Sequence, residues 1–164
     1  MIINESFLIG LSLAGTLSAV IGLEREITGQ PAGIRTHLIL GIGAALASML
    51  SIAFSKHLAS PAFPSDPGRI VAQVVSGVGF LGGGAILRYG VNIKGLTTAS
   101  SLWTTAIIGI ACGAGFYVEA CFTTVFVITA LVVVDKIVKK ALGIYTNHEI
   151  TIRVKDRPGI ICLL

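Results

Sequence analysis

Two short blocks, Glu24-Arg25-Glu26 and Arg35-Thr36-His37, bring carboxylate, guanidinium, hydroxyl and imidazole groups close together in the chain. Carboxylates at the carboxyl end of a helix are poorly placed against its macrodipole, so Glu24 and Glu26 need balancing charge. Arg25 and Arg35 are the available partners, and together the four residues form either an interfacial ion network or solvated loop charge of small energetic value. A second constellation, Asp66, Arg69 and Gln73, follows a Pro-rich stretch. Asp66 can cap orphan amides with Pro67 at the first helical position, and Gln73 lies one turn beyond Arg69. The alternative is a polar ligand site built from Asp66 and Arg69. A third group, Asn92, Thr97 and Thr98, leads into Ser100, Ser101, Thr104 and Thr105. Positions 97, 101 and 104, and equally 98, 101 and 105, share a helix face. Their hydroxyls either bond backbone carbonyls and a neighbouring helix or line a shallow wet vestibule.

Other chemistry has less material. His37, His57 and His148 fall in three separated regions, so no catalytic set assembles and an enzyme is not expected. Cys112, Cys121 and Cys162 are too irregular for a zinc site and read as packing residues. Magnesium prefers oxygen ligands, usually one or two carboxylates with retained waters, yet Glu24 and Glu26 sit at one edge of the apolar runs and Asp66 and Glu119 at the other. No metal site and no cofactor are expected.

The elements that must position these groups are apolar. Hydrophobic residues make up 54% of the chain and charged residues only 12%, about half the level of a soluble domain. Mean hydropathy is +0.89, which makes the lipid bilayer the expected solvent. The runs Phe7 to Leu23, Thr36 to Phe54 and Ile70 to Leu87 each suit one crossing. Thr98 to Val134 is too long for one, because about 20 residues suffice, and Gly113, Gly115 and Glu119 supply a turn within it. The first run has no positive residue before it and reads as a retained helix, not a signal peptide.

The expected fold is therefore an all-α membrane bundle of five transmembrane helices. Placing Lys136, Lys139 and Lys140 inside, with Arg25, Arg35, Arg88 and Lys94, leaves only Lys56 and Arg69 outside. The positive-inside rule then sets the amino terminus outside and the carboxyl terminus in the cytoplasm. Residues 1–140 form the membrane domain and 141–164 a cytoplasmic tail. The net charge of +4 is topology charge, and no nucleic-acid partner is expected.

Glycine is abundant, at 20 residues. Gly77-Val78-Gly79-Phe80-Leu81-Gly82 has the dinucleotide spacing, but it lies inside an apolar run where that motif cannot work. Gly77, Gly79, Gly82 and Gly83, and likewise Gly109 and Gly113, read instead as surfaces for close helix contact. Gly10, Ala14, Ser18 and Gly22 form a similar ridge. Such surfaces pack the bundle internally, and one of them could also join two copies as a homodimer.

Taken together, GLERE at 22 to 26, AGIRTH at 32 to 37, DPGRI at 66 to 70, VVSGVGFLGGGAIL at 74 to 87 and GLTTASSLW at 95 to 103 resemble the MgtC/SapB family of bacterial membrane proteins. The resemblance runs from about residue 8 to residue 118. It implies a multi-pass protein of the bacterial inner membrane, linked to growth at low magnesium and, in pathogens, to survival inside macrophages. Modulation of the F-type ATP synthase or of membrane potential is the implied mode of action, and a magnesium or other ion transporter is the alternative. By position, the resemblance marks Glu24, Arg25, Arg35, Thr36 and His37, then Asp66 and Arg69, then Asn92, Thr97 and Thr98. Larger members end in a cytoplasmic ACT-like domain. Here Glu149 to Asp156 alternates like a strand and Asp156-Arg157-Pro158-Gly159 resembles the loop after it, so the tail reads as an incomplete start of that domain. Either the sequence is truncated there or the tail pairs with another chain.

Overall fold

The computed structural model describes residues 5–58, 65–89, 92–134 and 136–137. Five helices follow in order: α1 Glu5–Ile27, α2 Ile34–Leu58, α3 Arg69–Ala85, α4 Leu96–Ala114 and α5 Tyr117–Thr129, the last running on through a π-helical turn at Ala130–Val134. Each grows from an expected apolar run. Helix α1 extends beyond its run through Glu24, Arg25 and Glu26, so these charges lie on its last turn and not in a loop. The split of the longest run falls where expected: α4 closes on Gly115, whose φ of +90° is open to glycine at little cost, and its amide returns to the carbonyls of Ala111 and Cys112.

Four of these segments, α1, α2, α4 and Tyr117–Val134, are long and apolar enough to cross a membrane. Helix α3 is apolar but has 17 residues, about 26 Å of length. It stops at Ala85 because Leu87–Tyr89 and Asn92–Lys94 pair as a short antiparallel hairpin, β1 and β2, with Arg88 opposite Ile93. This hairpin adds to the expected helical bundle without changing its class, and three-residue strands are too short to leave an alternating pattern. Gly95, with φ +93°, turns the chain from β2 into α4.

The start of α3 also differs from expectation. The helix begins at Arg69, after Gly68 in the capping position and with no side-chain cap. Asp66 Oδ1 instead accepts from the Gly68 amide at 2.7 Å, closing the turn before the helix. The loop is held from the other side by α2, where the Ser51 hydroxyl donates to the Pro67 carbonyl and the Ser55 hydroxyl to the Ser65 carbonyl.

Helices α1, α2 and α4 form the centre, α3 packs chiefly on α4, and α5 lies against α4 and α1. Small residues let the central helices approach. A β-carbon on Gly109 would collide with the Gly41 carbonyl, and one on Gly113 with the Ala45 carbonyl. Gly22 sits against Ile34 Cα, at 2.7 Å from where its own β-carbon would be. Around these crossings Ala14, Ile21, Ala45, Ile108 and Cys112 are fully or nearly fully enclosed.

The glycines of α3 behave differently. Gly82 meets Ala99 of α4, whereas β-carbons on Gly77, Gly79 and Gly83 would meet nothing within 4 Å. Internal packing through Gly79 and Gly83 is thus corrected: α3 turns Val78 and Gly82 inward, and positions 79 and 83 fall on its other side. The outer surface carries large apolar side chains, with Phe80 85% and Phe126 72% exposed, as expected where lipid and not water surrounds the helices. The tail from residue 141, including the expected ACT-like strand, lies outside the described residues.

Candidate functional site

The last turn of α1, the first turn of α2 and the first two turns of α4 meet at one end of the bundle. Glu24 and Arg25 are adjacent in sequence and pair through one edge of the guanidinium, with Nη2 donating to Glu24 Oε1 at 2.8 Å and Nε to Oε2. Arg25 is only 5% exposed, and a guanidinium so enclosed needs this bidentate partner. Glu26 serves a different purpose. Its Oε2 accepts from the Ile34 amide at 2.9 Å, satisfying a free donor at the start of α2 with a favourably placed negative charge. Arg35, an expected member of the ion network, stands outside it: the side chain is exposed and has no hydrogen-bond or ion-pair partner among the described residues.

His37 is completely enclosed, with Gly22 of α1 packed against its Cβ. Its Nδ1 lies 3.0 Å from the Gly33 carbonyl, which can only accept, so Nδ1 carries the proton. In the neutral ring Nε2 is then an acceptor. Its partner is Ser101 Oγ of α4 at 3.1 Å, and the same hydroxyl lies 2.9 Å from the Thr98 carbonyl. One hydroxyl proton therefore faces two acceptors. Beside this junction the Thr98 hydroxyl is fully buried and has no partner among the described residues, as is also true of Ser18 on α1.

The hydroxyls of Ser100, Thr104 and Thr105 donate to the carbonyls of Leu96, Ser100 and Ser101 on their own helix, at 2.8 to 2.9 Å. They are thus satisfied locally. Thr36 and Thr97 are exposed at this end, and Asn92 lies on β2 opposite Tyr89.

Asp66, Arg69 and Gln73 do come together, lining a cavity of about 540 Å³ with Ser51 and Ser55 of α2. Ser55 is 20 positions beyond Arg35 along α2, about 30 Å at 1.5 Å per residue, so the two polar regions occupy opposite ends of the bundle. The residues that reading the sequence missed are Gly33 at one end and Ser51 and Ser55 at the other. Ser51 and Ser55, one turn apart at the end of an apolar run, are a legible signal for a polar stripe. Nothing local marks Gly33, whose role is carried by its carbonyl.

Comparison with known proteins identifies the family. The sequence profile of the MgtC family matches residues 11–140. The chain is 40% identical over 146 residues to a protein of Synechocystis sp., covering 89% of this chain and 57% of that one. It is 39% identical over 150 residues to YhiD of Escherichia coli K12, named as a candidate magnesium transporter, covering 91% of this chain and 70% of YhiD. Against protein MgtC of Salmonella typhimurium it is 41% identical over 124 residues, 76% of this chain and 50% of that protein. The chain thus spans between half and about two thirds of the length of these relatives. No solved structure matches it. With its helices, its conjoined motif residues and a match over most of its length, this chain belongs to the MgtC family.

Proposed function

We propose that this protein is a regulator in the bacterial inner membrane, linked to growth at low magnesium and, in pathogens, to survival within macrophages, that acts by binding another membrane complex. The F-type ATP synthase is the partner class that the family resemblance implies, with membrane potential as the alternative target. In this reading α3 is a fifth crossing, at the short end of the workable range of about 17 to 25 residues, and the Glu24–Arg25 end faces the cytoplasm.

The observation that carries the proposal is how the carboxylates at this end are engaged. Glu24 is held by Arg25 and Glu26 by the amino end of α2. Both are structural supports that fix a surface on which Arg35, Thr36 and Thr97 stand exposed. A rigid, charged rim suits docking better than ion passage, since magnesium gives up its waters reluctantly and requires available oxygen ligands.

The name of YhiD supports the second reading, transport of magnesium or another ion. One experiment separates the two. Substituting Arg35 and Thr36 should abolish the physiological effect with insertion unchanged, while the native protein alone in liposomes carries no magnesium flux. A saturable flux in protein-only liposomes, sensitive to Asp66→Asn, would replace the regulator with a transporter.

A further inference from the structure

Between α2 and α3 runs a groove of about 870 Å³, with Leu102 of α4 among the residues lining it. Along α2 its wall is Arg35, Ile39 and Gly43, one residue per turn; along α3 it includes Leu81 and Gly84. From Arg35 to Gly43 is eight positions, or about 12 Å. The groove is open sideways, because Ile39 is 69% exposed and β-carbons on Gly43 and Gly84 would meet nothing within 4 Å.

Its charge is one-sided. Arg35 stands at the groove's end on the first turn of α2, no acidic residue lines the groove among the described residues, and the two carboxylates nearest in sequence are already engaged by Arg25 and by the Ile34 amide. A guanidinium without a partner among the described residues sits above an apolar channel at the end of a helix long enough to cross a membrane. An occupant that complements both parts has an anionic phosphate at one end and a hydrocarbon chain at the other. We propose that the groove between α2 and α3 is a binding site for an anionic phospholipid, its phosphate on Arg35 and an acyl chain along Ile39, Gly43, Leu81 and Gly84. Guanidinium matches phosphate in geometry as well as charge, and the Thr36 hydroxyl, also lining the groove, can supply a further donor. The glycines keep the channel open where any larger residue would fill it. This inference goes beyond the regulatory reading and does not rest on it.

The test is native mass spectrometry of the full chain in mild detergent, with phosphatidylglycerol and phosphatidylcholine compared as probes. The native protein should retain phosphatidylglycerol preferentially. Arg35→Gln should weaken that retention about fivefold, the effect of one basic residue at an anionic surface, and Arg35→Lys should restore most of it. Gly43→Leu, which meets no neighbour in the fold, should block retention by occupying the channel. Equal retention of both lipids by the native protein would overturn the proposal without recourse to any variant. So would full displacement by inorganic phosphate, which would mark a free-anion site, or a lipid-free dimer that Gly43→Leu dissociates, which would mark a second copy as the occupant.

Discussion

His37 Nε2 on α2 lies 3.1 Å from Ser101 Oγ on α4, a hydrogen bond between residues 64 positions apart that is sealed from solvent on both sides. It ties the loop end of α2 to the start of α4, directly beside the buried Thr98 hydroxyl. Bonds of this kind between membrane helices contribute modestly, about 0.6 kcal/mol on average and up to roughly 1.7, but they fix register.

Substitution of the pair should therefore be non-additive. Ser101→Ala leaves Nε2 without a partner, and His37→Ala also opens a cavity, so each should destabilise by about 1 to 3 kcal/mol. The double variant should lose less than the sum, by about 0.5 to 1.5 kcal/mol. Equilibrium unfolding in mixed micelles measures all three, and strict additivity would mean that the two groups do not interact.

Thr98→Val should be neutral or stabilising by up to about 1 kcal/mol. Its hydroxyl is buried without a partner among the described residues, and an orphan polar atom in a low-dielectric site is costly. A marked loss of stability in the same unfolding assay would show that the hydroxyl has a bond in the membrane.

The glycines divide sharply. Gly109→Ala and Gly113→Ala push a methyl group into the backbone of α2 and should cost about 1 to 3 kcal/mol. Gly79→Ala and Gly83→Ala meet nothing and should be neutral or stabilise the helix by up to about 1 kcal/mol. Loss of folding in the second pair, and not the first, would reverse the orientation of α3 in the bundle.

Orientation follows from labelling. After replacement of Cys112, Cys121 and Cys162, a cysteine at His57 should react with an impermeant thiol reagent added to intact cells, and one at Gln30 should not. His57 lies in the last turn of α2 and Gln30 in the turn that precedes its first residue. Reaction at position 30 alone would invert the topology that the Lys and Arg distribution predicts.

The sequence by itself determined where helices form, because apolar runs of bilayer length and the Gly113–Gly115 break depend only on local composition. It also determined which charged blocks flank them and, through several ordered motifs, the family. Only tertiary structure decided which partner each group meets. Glu24 and Glu26 read alike in sequence, yet one holds Arg25 and the other the Ile34 amide, because the turn between α1 and α2 brings Gly33 and Ile34 over Glu26. The glycines of α3 and α4 also read alike. Their different environments follow from helix rotation, which is set by the fit of α4 against α2 and of α3 against α4 and leaves no trace in spacing along either helix alone. The β1–β2 hairpin was equally invisible, since three paired residues in each strand are too few to show a period of two.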